Sequence, residues 1–213
     1  MLFTEFIKLT PKIVNSSLPA VTAHIKMAPI ERQAQLGTDY FLKNNPRESA
    51  VMMLFYPKND QATLVLTKRN TYKGVHSAQI SFPGGKKEPE DNSLTQTALR
   101  ETYEEIGIAP SQINVIMPFT KVYIPPSNFL VVPFLGTMGH TPVFVPDPKE
   151  VNTIIEMPVQ TLLDDAIVTT IEMKTSYAEK IVVPAFEIEG NIIWGATAMM
   201  LSELKEIIKN TAK

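Results

Sequence analysis

The chain has 213 residues, 44% hydrophobic and 20% charged, with a formal net charge of −2 at pH 7. That is the balance of a globular chain long enough to bury a core, and the near-zero charge excludes broad electrostatic binding of nucleic acid. The absence of cysteine excludes disulfides, thiolate metal sites and thiol catalysis, and His24, His76 and His140 are too scattered for a histidine zinc site.

In chain order, the opening MLFTEFIKLT has Glu5 and no basic start, so it reads as mature chain with the cytoplasm as its expected location. No apolar run approaches the roughly 20 residues of a membrane span, so no membrane partner is expected. Residues 1–45 are expected to be a helical, connector-like extension: FTEFIKL and IERQAQLGTDYFLK space their apolar residues at helical intervals, and Pro46 ends the segment. Residues 46–213 are then the main domain. AVMMLFY (50–56) and ATLVLTK (62–68) read as strands, and AQISFPGG (78–85) as a strand entering a turn. A helix is expected over 93–106. Strands follow at 112–124 and 129–138, then EVNTIIEMPV (150–159) leading into a short helix near TLLDD. IVTTIEMK and KIVVPAFEIEGNIIW add strands, and SELKEIIKN closes as a helix. Strands and helices mix without strict alternation, which points to an α+β fold.

The helix over 93–106 carries the chemistry. Ser93 with Gln96 three residues on is a capping-box pattern, and Gly107 is a stop. At about 100° per residue, Glu101, Glu104 and Glu105 share one face, while Leu99, Tyr103 and Ile106 fall opposite and are expected to pack on the sheet. Three adjacent carboxylates repel one another unless they share a cation. Oxygen-only ligands suit Mg²⁺ or Mn²⁺. Arg100 precedes Glu104 by four, the weaker order for helix stabilisation, and is better placed to orient that carboxylate through a bidentate bond. Gly84 and Gly85 just ahead allow close backbone approach or an exposed carbonyl. A solvated acidic face is the competing reading; the glycines, arginine and caps together weigh against it.

GG…ALRETYEEIGI resembles the Nudix box, with Thr102 replacing the usual apolar residue after RE. The resemblance implies a mixed β-sheet sandwiched between helices (α/β/α) and hydrolysis of nucleoside diphosphates linked to another moiety. It implies metal ligation by Glu101 and Glu105, with Glu104 sharing metals or assisting, a carbonyl ligand from Gly85, and Arg100 orienting Glu104. The glycine pair stands one residue further from Arg100 than usual. Asn92 takes the place of the upstream glutamate, and Asp91 is the expected substitute.

The form GGxxxPxDxSxxxTALRE is similar to the coenzyme A diphosphatase subfamily, as are LTKRNTYKGVHSAQISFPGG and IIWGATAMML. The implied reaction yields 3′,5′-ADP and a (acyl-)4′-phosphopantetheine. Asn70, Gly74 and Ala78 depart from that signature, and Lys73 is the expected substitute for an arginine missing at 74. These departures bear on coenzyme A rather than on diphosphate chemistry, so ADP-ribose, NADH or another nucleoside diphosphate derivative stays open as substrate. A catalytically silent binding module is a lesser alternative, since the box glutamates are present. Arg69 and Lys73 are candidates for binding substrate phosphates, against a reading as solvated strand-end charges. Glu150 is the candidate extra glutamate, as base or ligand, with Asp147 its competitor. A homodimer is expected from the resemblance alone. Trp194, Tyr123, Phe129 and the methionines are assigned to packing.

Overall fold

The computed structural model describes residues 1–70, 79–175 and 178–212, so Lys73, Gly74, His76 and Ala78 lie outside the described residues. Helices α1 (Phe3–Val14), α2 (Val21–His24) and α3 (Ile30–Gln33) open the chain. Strands β1 (Arg47–Lys58), β2 (Gln61–Arg69), β3 (Ile80–Ser81) and β4 (Gly84–Lys86) lead to helix α4 (Leu94–Ile106). Then come β5 (Asn114–Pro118), β6 (Val122–Ile124), β7 (Phe129–Thr137), β8 (Val151–Pro158) and α5 (Val159–Leu163). β9 (Val168–Thr175), β10 (Ala178–Ile188), β11 (Asn191–Trp194) and α6 (Gly195–Thr211) close it.

β1 is the axis of a mixed sheet. It runs parallel to β7, which carries β5 and β6 antiparallel on its far side. On its other side β1 pairs with β2 only from Lys58↔Gln61 to Phe55↔Leu64. β2 then turns away to β3 and β8, and β4 takes its place along β1 at Val51↔Gly84, Ala50↔Gly85 and Ser49↔Lys86. The sheet therefore forks at β1, with Arg69 at the end of one arm and Gly84–Gly85 on the other. β9, β10 and β11 form a separate antiparallel sheet.

Alternation along β1 divides the core between two faces. Met53 and Phe55 face α1 and α6, with Phe6 of α1 packed on Phe55 at 4.3 Å between ring centroids. Ala50, Met52, Leu54 and Tyr56 face α4. Helices on both faces of a mixed sheet give the α+β, α/β/α arrangement. Among the described residues no helix is long and apolar enough to cross a membrane.

Three local expectations are corrected. The stretch 112–124 is two strands, because Pro118 has no N–H to extend the ladder and the Phe119 N–H donates instead to the Pro133 carbonyl, 2.7 Å. The last helix begins at Gly195 rather than Ser202; its first turns bury Ala198, Met199, Met200 and Leu201, and a helix apolar on every side is an interior one. On α4 the inner face is Ala98, Thr102, Glu105 and Ile106, while Tyr103 is 55% exposed. Small Ala98 and Thr102 let the helix lie close on β1, with the Thr102 hydroxyl donating to the Ala98 carbonyl at 2.6 Å, and this turns Glu105 inward.

Candidate active site

The acidic helix is fixed at both ends. The Ser93 hydroxyl accepts from the Gln96 N–H at 3.2 Å, and the Gln96 side chain accepts from the Asn92 N–H at 2.9 Å, a capping box displaced by one residue. Gly107 stops the helix in a left-handed conformation, φ 77°. Beyond β7 the chain returns to the same end: the Val145 N–H donates to Ile106 O and the Asp147 N–H to Glu105 O, each at 3.0 Å. These bonds satisfy carbonyls that a helix C-terminus leaves unpaired.

α4 lies over the β4 arm of the fork, and the two glycines have different reasons to be there. Gly84 has φ 154°, and a Cβ would sit 2.4 Å from the Ala50 carbonyl oxygen. At Gly85 a Cβ would meet the Glu101 carboxylate at 2.4 to 2.6 Å, so only glycine leaves this carboxylate its position. The Gly85 carbonyl accepts from the Ser49 hydroxyl at 2.7 Å, which fixes its direction and leaves a second lone pair. Glu105, 2% exposed, accepts from the Gly84 N–H at 3.3 Å. Burial pushes Glu105 up to about 8; Arg69 pulls it down and Glu101 and Glu150 push it further up. Burial also raises Glu101, against the pull of Arg100.

Arg100 does orient Glu104, with Nη1 donating to Oε2 at 2.8 Å, and it holds Glu101 from the same nitrogen at 3.1 Å. Its bidentate partner, however, is Asp91, from Nε at 3.1 Å and Nη2 at 2.9 Å, rather than the Glu104 expected from spacing. Asp91 is buried, takes further hydrogen bonds from the Thr97 hydroxyl and the Glu88 N–H, and lies well below the usual carboxylate range chiefly through Arg100. Its place is behind the arginine. Nη2 also donates to the Lys86 carbonyl at 3.0 Å, tying the helix to β4.

Arg69 reaches in from the end of β2. Nη1 donates to Glu105 at 3.2 Å, and Nη2 stands 3.6 Å from Glu150. Glu150 is thus brought to the fork with its side chain 50% exposed. Its competitor Asp147 is occupied by its own loop, accepting from the Lys149 N–H at 2.9 Å. Glu101, Glu104, Glu105, Gly85, Arg69, Arg100 and Glu150 therefore gather around one fork, while Lys73 is outside the described residues. Ser49, which aims the Gly85 carbonyl, has no sequence signal, because its partner is 36 residues away.

The donor set fits a hard divalent cation: three carboxylates and a carbonyl, all oxygen. The arginines now take up those carboxylates, and among the described residues no three acidic or histidine side chains converge on a single point.

The NUDIX domain family matches residues 46–174, well over half of the chain. Nudix hydrolase 22, chloroplastic, of Arabidopsis thaliana is 30% identical over 76% of this chain and 56% of its own length. The uncharacterized Nudix hydrolase NudL of Yersinia enterocolitica is 31% identical over 68% of this chain and 74% of its own. The chain spans little more than half of the Arabidopsis relative. In fold it is similar to the Nudix hydrolase RenU of M. smegmatis, with a TM-score of 0.53, 14% identity, and coverage of 78% of this chain and 87% of that one. A MutT/nudix family protein from Enterococcus faecalis gives 0.52 at 16% identity, covering 82% of this chain and 71% of that one. On the domain match, and on the glycine pair and glutamates gathered at the fork, the chain belongs to the NUDIX domain family.

Proposed function

We propose that this chain is a Mg²⁺- or Mn²⁺-dependent diphosphohydrolase acting on a nucleoside diphosphate derivative, with coenzyme A or acyl-CoA as substrate. The observation that carries the reading is the meeting of two carboxylates at the glycine pair: partly buried Glu101, which a side chain at Gly85 would displace, and buried Glu105, which accepts from the Gly84 N–H. Glu101, Glu104, Glu105 and the Gly85 carbonyl are the groups to hold the cation. When bound, it supplies neutralisation of diphosphate charge and an acidified water.

The chain's residues do the rest. Arg100, locked by Asp91, keeps Glu101 and Glu104 in place at the fork. Arg69 supplies a planar cation for the phosphate oxygens. Glu150, half exposed and 3.6 Å from Arg69, would take the proton of the attacking water. The water oxygen bonds to phosphorus as the P–O bond of the bridge breaks, leaving two phosphomonoesters. The coenzyme A preference is supported by LTKRNTYKGVHSAQISFPGG and IIWGATAMML.

Coenzyme A and ADP-ribose offered side by side with Mn²⁺, with the products resolved, test the reading. The expected products are 3′,5′-ADP and 4′-phosphopantetheine. Much faster cleavage of ADP-ribose would move the substrate to that class, and tight binding without turnover would make the chain a binding module. Glu101→Gln is expected to lower turnover about 10³-fold, the equivalent of several kcal/mol of transition-state stabilisation, with folding nearly intact by circular dichroism.

A further inference from the structure

We infer that Arg69 is a resident counter-cation, holding positive charge between Glu105 and Glu150 in the metal-free protein and yielding that position when a divalent cation is held at the fork. This rests on the metal site proposed above.

Arg69 and Arg100 hold different members of one acidic cluster and are bound very differently. Arg100 makes a bidentate bond to buried Asp91, reaches Glu104 at 2.8 Å and is pinned by the Lys86 carbonyl. It is a fixed strut. Arg69 makes one bond of 3.2 Å and one ion pair of 3.6 Å, both long beside the roughly 2.7–2.9 Å of a well-formed charge-assisted bond. Its Nε is buried and has no hydrogen-bond partner among the described residues. An unpaired buried donor is costly, so the guanidinium lacks the partner that would complete its set. Diphosphate oxygens are acceptors of the right charge and geometry.

The backbone keeps this exchange in register. The Asn70 N–H donates to the Glu150 carbonyl at 3.1 Å, and the Asn70 side chain donates to Pro148 O at 2.8 Å. The end of β2 and the Glu150 loop therefore stay together while the Arg69 side chain moves. When ionised, Glu105, 2% exposed, needs a positive partner. Arg69 and a divalent cation compete for that role, and an incoming diphosphate rewards the arginine for leaving. Cation and diphosphate then bind cooperatively.

The test is Mn²⁺ binding to metal-stripped protein, followed by the electron paramagnetic resonance signal of the free ion, with and without methylenediphosphonate. Arg69→Gln is expected to bind Mn²⁺ alone about tenfold more tightly than wild type, about 1.4 kcal/mol, and to lose the further tightening that the diphosphonate gives wild type. Arg69→Lys, which keeps the charge but cannot span both acids, is expected to fall between, and it carries the test if Arg69→Gln does not fold. Unchanged or weaker Mn²⁺ binding in the folded variants would overturn the inference while leaving the metal site standing. Failure of wild type and both variants to bind Mn²⁺ would overturn the metal reading and the inference with it.

Discussion

Two buried glutamates on opposite faces of the main sheet show how differently a carboxylate can be kept from water. Glu203 of α6 is fully buried, yet it accepts from the Thr120 hydroxyl at 2.6 Å, the Ala20 N–H at 2.9 Å and the Thr120 N–H at 3.3 Å, and lies 3.3 Å from His24 Nε2. Burial raises it, but His24 and Thr120 pull harder, and it ends below its ordinary value. Glu105 of α4 has one N–H and one loosely held arginine, and burial leaves it raised to about 8. A carboxylate with a full set of donors is part of the scaffold. One left short of donors has capacity for a cation that the chain does not supply.

The largest expected effect separates these roles outright. Glu105→Gln should lower turnover about 10³-fold while leaving the metal-free protein as stable as before or more so, because burial already favours the neutral carboxyl and the amide is neutral at every pH. Glu203→Gln should do the reverse: it breaks a buried charged network at a cost of about 3–5 kcal/mol while the folded fraction keeps its turnover. Urea denaturation beside steady-state assays reads both. If Glu203→Gln abolishes turnover in folded protein, the division between scaffold and site fails.

A subtler difference lies in pH. Glu105 is raised from 4.5 to about 8, so the folded metal-free protein binds the proton more strongly than the unfolded chain does. Its contribution is complete below about 4.5 and is lost as pH rises towards 8. Glu203 is lowered from 4.5, so its contribution is present above that value and is lost as pH falls through the folded pKa. Thermal melts against pH should lose the fall on the neutral side in Glu105→Gln and soften the acid side in Glu203→Gln. Saturating Mn²⁺ should flatten the neutral side in wild type.

The smallest effect tests the orientation of α4. Tyr103→Ala should change stability by within about 0.5 kcal/mol, as for an exposed residue. A loss of several kcal/mol in the urea midpoint would mean that this side chain packs on the sheet after all.

The ends of α4 were legible because Ser93 and Gly107 act locally, within a turn of the helix they bound. Its acids and arginine, with the glycine pair of β4 ahead of it, also betrayed the site. Its rotation was not legible. Apolar periodicity put Tyr103 inward, whereas the sheet beneath accepts Ala98 and Thr102 and draws Glu105 in, and no spacing rule reports what lies under a helix. The Arg100 bond to Asp91 was missed for a similar reason: spacing favours a partner four residues along the helix, and the loop between β4 and α4 delivers a better one from outside it. The fork at β1 depends on β2 leaving for β8, a pairing between segments about ninety residues apart in sequence.

The seam between the Glu150 loop and the end of α4 has a consequence for how this chain can diversify. Val145 and Asp147 are stitched to the last helical carbonyls, so the position of Glu150 is set by the helix, not by the length of chain leading to it. Upstream, Gly139 faces open space and Val143 is almost wholly exposed. A length change beside Gly139 is separated from the acids by two anchors, the Thr141 hydroxyl on the Pro57 carbonyl at 2.6 Å and the seam itself. The loop ahead of the seam can vary in descendants of this sequence while Glu150 and the acids of α4 keep their relative positions.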